Sequence, residues 1–155
     1  FDCFYHRMRH FAPNVHQVPM QNTIRHYVST RDKCNGIAMG LISDQSPNMR
    51  ADSHWFEFLN QPTLFHDGAE KIALKFHLPV YFTYITRRAP GRYSLRFDQI
   101  YDGVEAVDPN QITERYVRAL ERMVSERPEL WVWTHRRWRH TPEKQAKKYG
   151  KINRE

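Results

Sequence analysis

Cysteine is nearly absent from this sequence. Cys3 and Cys34 are the only two in 155 residues, and their spacing fits neither a C-x-x-C redox pair nor a zinc cluster. That excludes a disulfide-stapled scaffold and points to free thiols in a reducing compartment. Long apolar runs are missing as well. No stretch reaches the roughly 18 residues that a spanning helix needs, and the start, FDCFYHRMRH, is charged and aromatic, unlike a secretory signal. Walker A, G-x-G-x-x-G and G-x-S-x-G patterns are all absent, so nucleotide chemistry and a serine-hydrolase elbow find no support. Nine histidines occur, yet none forms an H-E-x-x-H pair or a Cys/His cluster, and neither a metal nor a cofactor is expected. The first residue is Phe, which suggests a processed product or an excised fragment.

What is present is a chain with 40% apolar and 14% aromatic residues, enough for one domain with a sizeable core. The net charge of +7 is unevenly spread: residues 1–134 carry 16 basic and 15 acidic side chains, and residues 135–155 carry 8 and 2. The basicity is C-terminal.

Periodicity predicts short helices over 2–10 and 21–33, the second with Ile24, Tyr27 and Val28 on one face. The continuous apolar run GIAMGLI (36–42) reads as a central strand buried on both faces. Two short extended pieces lie within 54–65. An amphipathic helix spans 68–77, with Ala69, Ile72, Ala73 and Phe76 inward. Residues 80–86 form a second apolar strand, Ala89-Pro90-Gly91-Arg92 a type II turn, and Tyr93, Leu95 and Phe97 a strand with one buried face. The strongest helix is 109–125, with Asp108 as N-cap, Pro109 in the first helical position and Gln111 completing a capping box. Helices alternating with apolar strands predict an α/β fold, layered around a mostly parallel sheet. The polar stretch 141–155 reads as a basic flexible tail on a domain covering 1–140.

Three sets of residues are candidates for a site, each with a plainer alternative. Asp44 and Gln45 follow the 36–42 run, where open α/β sheets place ligand groups, but SDQSPN is also rich in turn formers. Arg7 and Arg9 could clamp a phosphate or form a solvated helix face. In PELWVWTHRRWRH (128–140), Trp131 and Trp133 are two apart and predict a shared buried face in an extended segment. Arg136, Arg137 and Arg139 then form either a solvated rim or an anion site.

Five segments together resemble the lipid A biosynthesis acyltransferase family: YHRMRHF (5–11), GLISDQSP (40–47), WFEFLNQPTLFHDGAEKIA (55–73), LPVYFTYITRR (78–88) and ITERYVRALERMVSERPELWVWTHRRWRH (112–140). The last is the most specific. The resemblance implies a fold similar to glycerol-phosphate acyltransferases, at the cytoplasmic face of the bacterial inner membrane. It also implies acyl transfer from an acyl carrier protein thioester to a hydroxyl of a lipid A precursor, at an anionic membrane surface. By the same resemblance Arg7 or Arg9, Asp44, Gln45 and Arg137 bind substrate, and a histidine followed by four residues and an acid acts as general base. No histidine here has an acid at that spacing; the fifth residues on are Phe11, Val15, Gln21, Arg31, Leu59, Lys71, Phe82, His140 and Gln145. The catalytic pair is therefore expected upstream, and the chain alone is expected to be inactive. The rival reading is a basic nucleic-acid-binding module using the C-terminal Arg/Trp cluster, followed by a purely structural domain. The near-neutral body and the lack of any binding motif count against specific nucleic acid binding.

Overall fold

A computed structural model describes residues 14–150. The helix expected over 2–10, and with it Arg7 and Arg9, lies outside these residues. The chain divides into two units after Gly40. In the first, helix α1 (Thr23–Thr30) is flanked by 3-10 turns at Met20–Asn22 and Arg31–Lys33, which matches the helix expected over 21–33. The Ser29 and Thr30 hydroxyls both donate to the His26 carbonyl and tie its last turn.

The second unit is built on two hairpins. Strands β1 (Trp55–Phe58) and β2 (Gln61–Leu64) pair antiparallel with Phe58 opposite Gln61, so Leu59 and Asn60 alone make the turn. Both take positive φ, 50° and 58°, the backbone of a type I′ turn that matches strand twist. Strands β3 (Val80–Ala89) and β4 (Arg92–Tyr101) also pair antiparallel. Their turn is the expected Pro90-Gly91, with Gly91 at φ 70°, which a side chain would strain.

Two expectations fail here. The sheet is not mostly parallel: each two-stranded sheet is closed by a two-residue turn, a connection that only antiparallel strands can use. Nor does 36–42 form a strand. Neither hairpin lends it a ladder partner, and Ile37, Leu41 and Ile42 are exposed. What holds is the mixed α/β character.

Helix α2 (Gly68–Phe76) lies between the hairpins in sequence, and α3 (Gln111–Glu126) joins them in space. Val117, Leu120 and Val124 of α3 share a core with Phe56, Phe58, Phe65, Phe82 and Trp131. Ile112 packs in a second cluster with Ala73 and Tyr101. The start of α3 differs from its expected cap. Gln111 does accept from the Asp108 amide at 3.0 Å, half of the capping box, but the helix begins two residues later than expected, with Asn110 as its N-cap at φ 67°. Its unpaired N–H is satisfied across the fold: the buried Glu70 carboxylate accepts from Thr113 N at 2.9 Å and from its hydroxyl at 2.5 Å.

The stretch 128–140 is not extended, so alternation does not govern it. A 3-10 turn at Pro128–Leu130 leads into tight turns closed by Trp133 N to Trp131 O, His135 N to Val132 O and Arg137 N to His135 O. Trp131 is buried as expected at 8% exposure, but Trp133 turns outward at 56%, its indole N–H donating to Pro128 O. Arg137, expected on a rim or in an anion site, is the buried one. The tail is likewise no tail over Pro142–Tyr149, which forms α4. Thr141 accepts from Lys144 N as N-cap, and Pro142 fits the first helical position. Gln145 donates to the carbonyls of Arg50, Ala51 and Ser53 and accepts from the Trp55 indole, while Tyr149 donates to Met49 O at 2.8 Å. A polar helix needs no apolar face when its side chains bind another segment's backbone.

Candidate functional site

The loop 41–54 has no regular structure of its own, and the C-terminal elements hold it. Arg139 donates to the carbonyls of Ser46 and Pro47, His140 bonds Pro47 O at 3.1 Å, and α4 grips residues 49–53. Asp44 is half-buried in this loop and Gln45 is exposed. The expected reason for their placement, the end of a central strand, is therefore replaced by a clasp from the chain's far end. Arg136 is exposed; Arg139 is engaged with backbone.

Arg137 is the exceptional group. It is 2% exposed, its Cζ lies 4.2 Å from the Phe65 ring centroid, and Nη2 donates to Leu64 O at 2.5 Å. Its Nε and Nη1 are buried with no partner among the described residues. Desolvation lowers its pKa to about 10, with Tyr116 and Asp44 opposing the fall. Buried N–H donors of a guanidinium are costly to leave unpaired, and a fork with two open donors is shaped for a carboxylate or phosphate.

Around it stand groups that sequence reasoning missed. Burial lifts the Tyr116 phenol well above its ordinary range, and the Asp44 carboxylate lifts it further while Arg137 pulls it back. His66, directly after β2 and Phe65, is held below the usual imidazole range first by desolvation and then by the Arg137 charge. It borders two cavities. One, of about 30 Å³, is lined by Ser43, His66, Val80, Ile100 and Tyr116 among others. The other, of about 320 Å³, is polar and lined by Arg50, Asp52, His54, His66, Asp67 and Asn110 among others. There Arg50 bridges Asp52 at 3.1 Å and Asp67 at 2.7 Å, and Lys71 reaches Asp67 at 2.6 Å. The one available signal for His66 was a polar His-Asp pair immediately after an apolar strand. Among the described residues no three His, Cys, Asp or Glu side chains converge as metal ligands do.

Arg137, Asp44, His66 and Tyr116 thus act on one another electrostatically on a mixed α/β frame, while Arg137 itself lines neither of these two cavities. The chain belongs to the bacterial lipid A biosynthesis acyltransferase family, whose sequence profile matches residues 6–140. The family function is acyl transfer in lipid A biosynthesis, with an acyl donor and a lipid A-type acceptor. No curated protein matches the chain. Among the described residues no helix is long and apolar enough to cross a membrane.

The histidines predict a pH effect. His140, like His66, is held below the ordinary range by desolvation, then by the Arg139 charge. A histidine whose folded pKa is depressed binds fewer protons than in the unfolded chain. Its contribution therefore stands in full above about pH 6.5 and is lost as pH falls below that value. The depressed Asp52 and Asp67 act only nearer their own acidic range. Denaturant melts should show lower stability at pH 5.5 than at pH 7.5, and His66→Gln should shrink the difference. An unchanged difference in that variant removes His66 from the account.

Proposed function

We propose that the chain supplies acceptor-binding groups of an acyltransferase. The enzyme would move a fatty acyl chain from an acyl carrier protein thioester to a hydroxyl of a lipid A precursor, at the anionic cytoplasmic face of the bacterial inner membrane. In this reaction the acceptor oxygen forms a bond to the thioester carbonyl carbon and the carbon–sulfur bond breaks. A general base takes the hydroxyl proton, which ends on the departing thiol. No histidine of this sequence has an acid at the spacing the family uses, so the reading gives the chain the task of holding the acceptor rather than abstracting its proton.

The observation that carries the reading is the Arg137 guanidinium, buried with two open donors beside the charge of Asp44 in a chain of this family. Arg137 is assigned to an anionic group of the acceptor, a phosphate above all. Asp44 and Gln45 are assigned to its polar sugar face, and Arg7 and Arg9 to a second anionic contact. The nucleic-acid reading keeps less of its footprint: of the C-terminal cluster Arg136 and Trp133 are exposed, but Trp131 is buried, Trp138 donates to the Thr63 hydroxyl, and Arg139 is engaged with loop carbonyls.

The test is expression of the intact gene product in a host lacking one late acyl chain, with lipid A read by mass spectrometry. The lipid should gain one acyl mass. Asp44→Asn should reduce that product at least about tenfold, a loss of roughly 1.4 kcal/mol in transition-state stabilisation. Wild-type yield from the variant would return Asp44 to the role of a turn residue.

A further inference from the structure

The β3–β4 hairpin leaves one face bare. Register places Ile85 opposite Leu95, Thr83 opposite Phe97 and Arg87 opposite Tyr93, on the side away from the buried Phe82. Tyr81, Ile85, Tyr93, Leu95 and Phe97 are between 49% and 65% exposed. The alternation at 93, 95 and 97 was expected to mark a buried face; the structure turns it outward, because α3 packs against the face that carries Phe82. Contiguous exposed apolar patches of this kind mark interaction sites. The charge identifies the partner. Arg87, Arg88 and Arg92 surround the tip and Arg96 lies just behind, all exposed and none with an ion-pair partner among the described residues. Asp98 is the one acid in the hairpin.

We propose that this hairpin docks on the headgroup region of an anionic phospholipid bilayer, its apolar face lodged at the boundary between headgroups and acyl chains and its arginines on the phosphates. Tyrosine rings and arginine stems suit that boundary, since each joins an apolar body to a polar end. The inner side of the same strands lines the small cavity through Val80 and Ile100, and Phe82 there meets Tyr116 at 5.7 Å between ring centroids. Docking therefore sets the candidate site about one sheet layer, ~10 Å, from the lipid. The proposal rests on the reading above only in taking the acceptor to be lipid-borne.

The experiment is sedimentation of the chain with vesicles of phosphatidylcholine mixed with phosphatidylglycerol. Ile85→Ser/Leu95→Ser/Phe97→Ser leaves the charge unchanged, so attraction to the lysines of α4 persists in it. Its partitioning should nonetheless fall at least about tenfold, with an unchanged denaturant melt. Arg87→Ser/Arg88→Ser/Arg92→Ser should lose more binding at low salt than Lys144→Ser/Lys147→Ser/Lys148→Ser, which removes equal charge from α4. Wild-type partitioning by a folded apolar-face variant overturns the proposal, as does a larger loss from the lysine variant. Neither assay requires acyl transfer. A chain that docks but adds no acyl mass to lipid A keeps the hairpin's role and loses the enzymatic one; the reverse result loses docking alone.

Discussion

Trp131→Ala lowers the unfolding free energy by about 3–5 kcal/mol, whereas Trp133→Ala, two residues on, costs less than about 1 kcal/mol. The difference follows from where the turns of 128–140 send each ring. Trp131 sits in the main core at 5.7 Å from the ring of Phe58, which is fully buried at the end of β1. Removing it opens a cavity walled by residues of β1 and α3, which the type I′ turn and the core cannot close by collapse. Trp133 keeps over half its surface in water and gives up mainly the bond from its indole to Pro128 O. Urea melts of the two variants check this directly. Equal losses would mean that both rings are core, as alternation in an extended strand predicts.

That reversal shows what the sequence could and could not disclose. Local signals were legible: Pro90-Gly91 made its turn, the 68–77 pattern made α2, and the helical spacing over 109–125 put Ile112, Leu120 and Val124 inside. Signals that depend on a partner were not. An apolar run such as 36–42 is a strand only if another strand offers a ladder, and the alternation of Tyr93, Leu95 and Phe97 does not say which face meets α3. The 141–155 stretch looked like a tail because its binding groups are Gln145 and Tyr149, whose targets are backbone carbonyls nearly 100 positions away. The site shows the same division. Asp44 and Arg137 could be picked out by the motifs around them, but their electrostatic company of His66 and Tyr116 exists only once β2 and α3 are packed.

Arg137→Met should leave stability within about 1 kcal/mol of wild type while acyl transfer by the intact gene product falls about a hundredfold, roughly 2.7 kcal/mol. Two opposing terms set the first part. Burial lowers the arginine from its ordinary 12.5 to about 10; at about 1.4 kcal/mol per pKa unit, holding the charge inside costs on the order of 3 kcal/mol, which methionine relieves. Against that stands loss of the bond to Leu64 O, worth about 1.5–3 kcal/mol when the donor is charged. The two nearly cancel. Activity has no such compensation, because the open Nε and Nη1 donors are what the substrate anion would use. Arg137→Lys should fail to rescue transfer, since an ammonium offers a point charge in place of a planar fork. The measurements are a denaturant melt and lipid A mass analysis on the same two variants. If Arg137→Met unfolds the protein by more than about 3 kcal/mol while Arg137→Lys restores both folding and transfer, the guanidinium is a brace for β2. Its open donors then have no part in holding the acceptor.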